Sequence, residues 1–263
     1  MKTYRFAYGS GTVEFPLEEK NIIGELHGNV VEPISDIRKE LWASLDAPID
    51  SAPLCRQVTP GSTVALVVSD MSRFWMRQDL VVPHLVEYLT QRCGVRERDI
   101  TIVIANGTHT GGDEAELRTL VTDAVYDRIT VENHDCESED LVYLGTTPHG
   151  TPVSINRTAA LADMVICLGA ATHHVMAGFG GGRKSILPGI SGRETIFHNH
   201  AFSLDAAALR SNPAVGNGIL QGNPLHEDMC EAAGLVKNLF MVNLVMNTQM
   251  RLAAIFSGHY LTS

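Results

Sequence analysis

Three apolar runs in this chain are each followed within a few residues by polar residues of the kind that do chemistry, and this limits the fold more than anything else. Thr63–Ser69 (TVALVVS) leads into Asp70-Met71-Ser72-Arg73. Ile100–Ala105 delivers Asn106-Gly107-Thr108-His109, and Met164–Leu168 is followed by Thr172-His173-His174. Each run is short, continuous and β-branched, as a strand buried on both faces requires. Between them lie helical patterns. Val81, Leu85 and Leu89 recur at four-residue steps within Leu80–Arg92, where Pro83 suits the first turn and Gly94 the C-terminal cap. Asp113 and Glu116 are spaced as a capping box ahead of Leu117, Leu120 and Val121. The expected fold is α/β, a largely parallel sheet flanked by helices, Rossmann-like, with residues 1–263 as one domain. In such sheets ligands bind beyond the carboxyl ends of strands, so the three polar ends are expected to share one site.

The flanking segments fit this frame. The first fifty residues are expected to hold one or two strands and then cross over through Ile34–Leu45. Asn223-Pro224 opens a helix with Glu227 and Asp228 in its first turn, where acids suit the helix dipole. Leu239–Met246 reads as a late strand, and the pattern is weakest over Phe202–Gly222.

A net charge of −10 argues against general nucleic-acid binding. It also repels a small anionic substrate at long range, so a local Arg or Lys must offset it at the site. No run of about 18 apolar residues is present to span a membrane, and the start, MKTYRFAYGSG, lacks the apolar core of a secretory leader. The five cysteines, at 55, 93, 136, 167 and 230, form no CxxC. They are expected to be reduced and mostly small core residues of a cytoplasmic protein.

Ala171–His200 holds four of the eleven histidines, glycines at 178, 180, 181 and 182, and the Arg183-Lys184 pair. Those glycines let backbone approach a ligand, and Lys184 suits a phosphate or an electrophile. GFGGGRKS resembles a Walker A loop but fails it, since Arg183 precedes the lysine and Pro188 falls where the helix should begin. A flexible turn with incidental basic residues is the plainer reading. His198 and His200 would share a face on a strand but diverge by about 200° on a helix. No cysteine lies near enough to complete a four-ligand zinc set. His109 and His174 are each open to a packing or capping role, but their shared position after buried strands favours acid/base work. His134, His149, His226 and His259 have no such company. Asp70 and Arg73 are either a salt-bridged turn or, for Arg73, an anion clamp.

Taken together, Asp70-x-x-Arg73, Gly107-Thr108-His109, His173-His174, GGGRKS-x-LPG and His200 resemble the N-terminal domain of the nickel-pincer-nucleotide-dependent lactate racemase family. The spacing carries it: ten residues from His174 to Lys184 and sixteen from Lys184 to His200. The resemblance implies a pyridinium mononucleotide with two thiocarbonyl groups that binds nickel through sulfur, carbon and sulfur. By position, Lys184 corresponds to the lysine tether and His200 to the metal ligand. His109 and His174 correspond to the acid/base pair, while Asp70 and Arg73 fall in the segment contacting cofactor and substrate. The reaction implied is racemisation or epimerisation of a small anionic 2-hydroxy acid by hydride transfer.

Two departures follow. The family commonly shows D-x-T-R-P, whereas this chain has Asp70-Met71-Ser72-Arg73-Phe74 and then Trp75. That alters the wall beside the expected substrate carboxylate and allows an acid other than lactate. The family also carries a second domain that closes the cleft; this chain stops at Ser263, so a closing domain or a second copy is the expected partner. The competing readings are a non-catalytic domain that holds a nucleotide or nickel cofactor for a partner, and a conventional metal-dependent hydrolase built on His109, His174 and His200.

Overall fold

Alternation along the central strands sends side chains to two separate cores. The computed structural model describes residues 1–263. Residues Met1–Val31 cluster as one unit and Glu32–Ser263 as another. The first unit contains an antiparallel hairpin of β1 (Lys2–Tyr8) and β2 (Gly11–Leu17), where one or two strands are expected.

The second unit runs through α1 (Ile37–Asp46), α2 (Leu54–Gln57), β3 (Val64–Ser69), α3 (Val82–Glu87), β4 (Ile100–Ala105), α4 (Glu114–Val121) and α5 (Asp123–Tyr126). It continues through β5 (Thr130–Asn133), β6 (Val142–Thr146), β7 (Pro152–Ile155), α6 (Arg157–Leu161), β8 (Met164–Ala170), β9 (His173–His174) and β10 (Gly178–Phe179). The last elements are α7 (Arg193–Ala201), β11 (Leu204–Asp205), β12 (Arg210–Ser211), α8 (Pro224–Gly234), β13 (Leu239–Met246) and β14 (Leu252–Gly258). Caps set several helix starts: Asp36, Asp113, Asn156 and Asn223 each accept a hydrogen bond from a backbone N–H in the first turn.

Six strands form the main sheet in the order β14-β13-β8-β3-β4-β5. Only β14 runs antiparallel, paired with β13. Counted in chain order from the β5 edge, the strands read 3-2-1-4-5-6, the Rossmann order, and the reversal falls between β3 and β8. Val64, Leu66 and Val68 of β3 face a core with Leu41, Leu45, Leu85 and Leu120, from the α1–α5 side. Ala65 and Val67 face the other core, with Ala159, Ile186, Ile196 and Met229, from the α6–α8 side. A side chain buried as fully as Leu66 or Ile102 contributes roughly 1.5–3 kcal/mol. No helix is long and apolar enough to cross a membrane.

Two expectations need correction. Cys55 and Cys93 are joined as a disulfide, while Cys136, Cys167 and Cys230 are free thiols. A separation of 38 residues carries no local signal; the pair meets only because α2 and the turn after α3 pack on the same side of the sheet. Asp228 does not serve the dipole at the surface of α8. It is fully buried and accepts hydrogen bonds from Thr147 Oγ1 (2.6 Å), Thr151 Oγ1 (2.9 Å) and Asn199 Nδ2 (2.8 Å). That carboxylate ties α8 to the β6–β7 turn and to α7. Asp228→Ala strands three donors and is expected to lower stability by about 3 kcal/mol in urea unfolding, with Asp228→Asn falling between it and the parent.

Candidate functional site

The carboxyl ends of β3, β4 and β8 open on one cavity of about 400 Å³, within the range of small-molecule sites. Asp70, Arg73, His109, His174, Lys184 and His200 all line it, together with Trp75, Asn106, Pro188 and Phe197.

β3 ends at Asp70, from which the chain enters a 3-10 turn over Met71–Met76. One oxygen of Asp70, Oδ1, accepts from Ser72 Oγ at 2.6 Å and the other lies 2.6 Å from His109 Nδ1. Arg73 donates to Ser72 Oγ at 2.9 Å and makes no ion pair with Asp70. The salt-bridged turn is therefore not formed, and an exposed guanidinium is left at the cavity for an anion. Both Phe74 and Trp75 pack against the α1–α5 core, and of the two Trp75 also lines the cavity.

β4 delivers His109 through a tight turn. Gly107 takes a positive φ of 56°, and the His109 N–H returns to the Asn106 carbonyl at 2.9 Å. Asn106 is buried and donates to Asn133 Oδ1 and the His134 carbonyl. A carboxylate can only accept, so His109 carries a proton on Nδ1 toward Asp70, and its Nε2 is the nitrogen left for other partners.

The glycine loop folds back on β8 and β13. A Cβ on Gly181 would lie 2.6 Å from Asn243 Oδ1 and 3.0 Å from the Ala170 carbonyl, at a φ of +76° that favours glycine. Asn243 in turn accepts from the Gly182 N–H at 2.8 Å. The loop is thus neither a P-loop nor a slack turn: Gly178–Phe179 pairs with His173–His174, and Gly182–Ser185 forms one 3-10 turn. Arg183 is buried and holds this geometry, donating to the carbonyls of Ala177 (2.7 Å) and Phe179 (3.1 Å) and to His226 Nδ1 (3.0 Å).

Lys184 Nζ sits 3.2 Å from His174 Nε2. On its other edge, His174 Nδ1 accepts from the backbone N–H groups of Met176 (3.2 Å) and Ala177 (3.1 Å). His198 and His200 lie on α7 and diverge as helical geometry demands. His200 lines the cavity, while His198 turns to Thr151 Oγ1 at 3.3 Å. A separate cluster, His149, Asp228 and Glu231, brings its ligand atoms within 4.8 Å of one another away from the cavity lining.

Positive charge dominates the cavity. Burial, with Lys184, Arg73, Arg183 and His200 adding to it, pushes His174 down to about 4. Burial, then Arg73 and Arg183, pushes Lys184 down to about 8. Burial and then Lys184 lower His200 as well, against the pull of the Ile196 carbonyl. Asp70 is the one carboxylate among the lining residues, and His109 occupies it. Such a site favours an anion despite the chain's net charge of −10.

The donor set fits a nickel-pincer nucleotide. It offers an amine with no acid beside it, a guanidinium free of carboxylate, and the His200 imidazole on the cavity wall. One imidazole alongside soft sulfur donors is a set for a late first-row metal. Sequence reasoning missed the Asp70–His109 pair, the Arg183–His226 lock and the role of Asn243. All three depend on contacts between distant segments.

Residues 8–211 match the family model described as the lactate racemase N-terminal domain. The lactate racemase of Thermoanaerobacterium thermosaccharolyticum is 28% identical over 262 residues, covering 98% of this chain and 60% of that protein. The lactate racemase of Lactiplantibacillus plantarum is 28% identical over 254 residues, covering 95% of this chain and 58% of that protein. This chain therefore spans about three-fifths of the length of these relatives. The apoprotein structure of the Thermoanaerobacterium enzyme superposes with a TM-score of 0.84 at 27% identity, over 99% of this chain and 60% of that one. A Thermotoga maritima crystal structure shares the fold, with a TM-score of 0.65 at 22% identity over 84% of this chain and 53% of that one. With a family model covering well over half of its residues, this chain belongs to the lactate racemase N-terminal domain family.

Proposed function

We propose that this chain is the cofactor- and substrate-holding part of a racemase or epimerase for a small anionic 2-hydroxy acid, lactate or a close analogue. The observation that carries the reading is the meeting of Asp70, Arg73, His109, His174, Lys184 and His200 on one cavity at the strand switch point. Family membership supports it, as do the names of the relatives. In this reading Lys184 tethers a nickel-pincer nucleotide and His200 supplies the protein's ligand to nickel. Bound there, that group supplies a hydride acceptor, so the C–H bond beside hydroxyl and carboxylate breaks without a free carbanion.

The chain's own residues do the rest. Arg73, with no acid against it, takes the substrate carboxylate or the nucleotide phosphate. His109 receives the hydroxyl proton at Nε2, while Asp70 fixes the tautomer that exposes the lone pair and steadies the imidazolium that results. His174 serves the proton of the opposite stereochemical course. Trp75 and Phe197 wall the cavity and limit water. A closing domain, as the longer relatives have room for, or a second copy completes the cleft.

Three outcomes test the assignments in the protein matured with cofactor. His109→Ala is expected to slow racemisation about 10²–10⁴-fold in a chiral assay while the covalent adduct persists by mass; unchanged turnover would remove His109 from the chemistry. Lys184→Ala should lose the adduct mass from the intact chain, and a retained increment would refute the tether. His200→Ala should lose nickel by elemental analysis; retention of both metal and activity would refute the ligand.

A further inference from the structure

The hydrogen bonds around His174 constrain Lys184. A neutral imidazole has one N–H and one lone pair. Two backbone N–H groups, from Met176 and Ala177, point at Nδ1, which must therefore be the lone-pair nitrogen. The ring proton is then on Nε2, and the partner 3.2 Å away is Lys184 Nζ. An ammonium has three donors and no acceptor, so an Nε2–H facing it would set donor against donor. A neutral amine has a lone pair to receive that proton. Protonating the imidazole instead would turn Nδ1–H against the two amides.

We propose that the Met176 and Ala177 amides lock His174 as the Nε2–H tautomer, and that His174 thereby favours the free-amine form of Lys184, a nucleophile toward carbonyl carbon entering the cavity. The surroundings agree. The groups facing Lys184 are His174 from β9, Arg73 from the turn after β3, neighbouring Arg183 and His200 from α7, and none is an acid. Burial and the two arginines lower its pKa to about 8. Toward an aldehyde, the amine lone pair forms the C–N bond, the carbonyl oxygen leaves as water with both amine protons, and an imine remains. His174 is here a positioning residue acting through Lys184. The claim needs no nickel and stands apart from the racemase reading: missing nickel or missing turnover would sink that reading and leave this one intact.

The experiment uses the 263-residue chain and pyridoxal 5′-phosphate, a pyridine aldehyde bearing a phosphate, trapped by borohydride and mapped by peptide mass spectrometry across pH. Five lysines are present, and Lys2, Lys20, Lys39 and Lys237 are exposed and serve as internal references. Lys184 is expected to label with a midpoint near 8, below the four references. In His174→Leu the midpoint should rise, with labelling at pH 7.5 falling several-fold, and His174→Gln, which keeps a donor toward Nζ, should restore it. An unchanged midpoint in a folded His174→Leu chain would overturn the proposal. If neither variant folds, ¹⁵N NMR of the parent decides: a proton on Nε2 of His174 supports the lock, and a proton on Nδ1 refutes it.

Discussion

The reversal of strand order between β3 and β8 is the constraint on which the site depends. At that point the chain leaves the sheet in opposite directions, and the carboxyl ends of β3, β4 and β8 stay uncovered side by side. Residues as far apart as Asp70 and His200 then share one cavity. The fold supplies the site by topology, and the turns only aim the side chains. Gly107 turns His109 toward Asp70, and Gly181 lets the glycine loop lie against β8 where a Cβ would collide with Asn243.

Electrostatics in the cavity follows from which acids are missing. Arg73, Arg183 and Lys184 lie in or behind one wall, and Asp70 is committed to His109. The outcome is a pocket that favours the neutral form of His174 and His200 and lowers the pKa of its amine. Neutral imidazole is what a metal ligand or a general base requires. An unprotonated amine is what a covalent tether requires. Arg183 contributes at a distance: by anchoring the carbonyls of Ala177 and Phe179 it fixes the loop whose amides define the tautomer of His174.

Much of this was legible in the amino-acid sequence, and the reason is local. Buried parallel strands are continuous apolar runs, so β3, β4, β8 and β13 were placed within a few residues of their ends. Caps are also local, and Asp113 and Asn223 behave as their neighbours implied. The six candidate residues come from resemblance to the family's motifs, and they line one cavity. What sequence could not carry was pairing. Asp70 lies three residues from Arg73 but bonds a histidine 39 positions away. Asp228 looked like a helix-dipole acid and is instead a buried acceptor for Thr147, Thr151 and Asn199. Cys55 and Cys93 looked like independent thiols and are bonded. The H-x-H pair was ambiguous between strand and helix until α7 separated the two rings.

The central claim is that the cavity at the switch point gathers one amine and one imidazole onto a single metal-bearing ring. Anomalous diffraction at the nickel edge, from crystals of the protein matured with cofactor, tests it most directly. The account expects one peak inside the cavity within bonding distance of a His200 ring nitrogen, with continuous density to Lys184. A nickel peak at the His149–Asp228–Glu231 cluster, with none at His200, would contradict it.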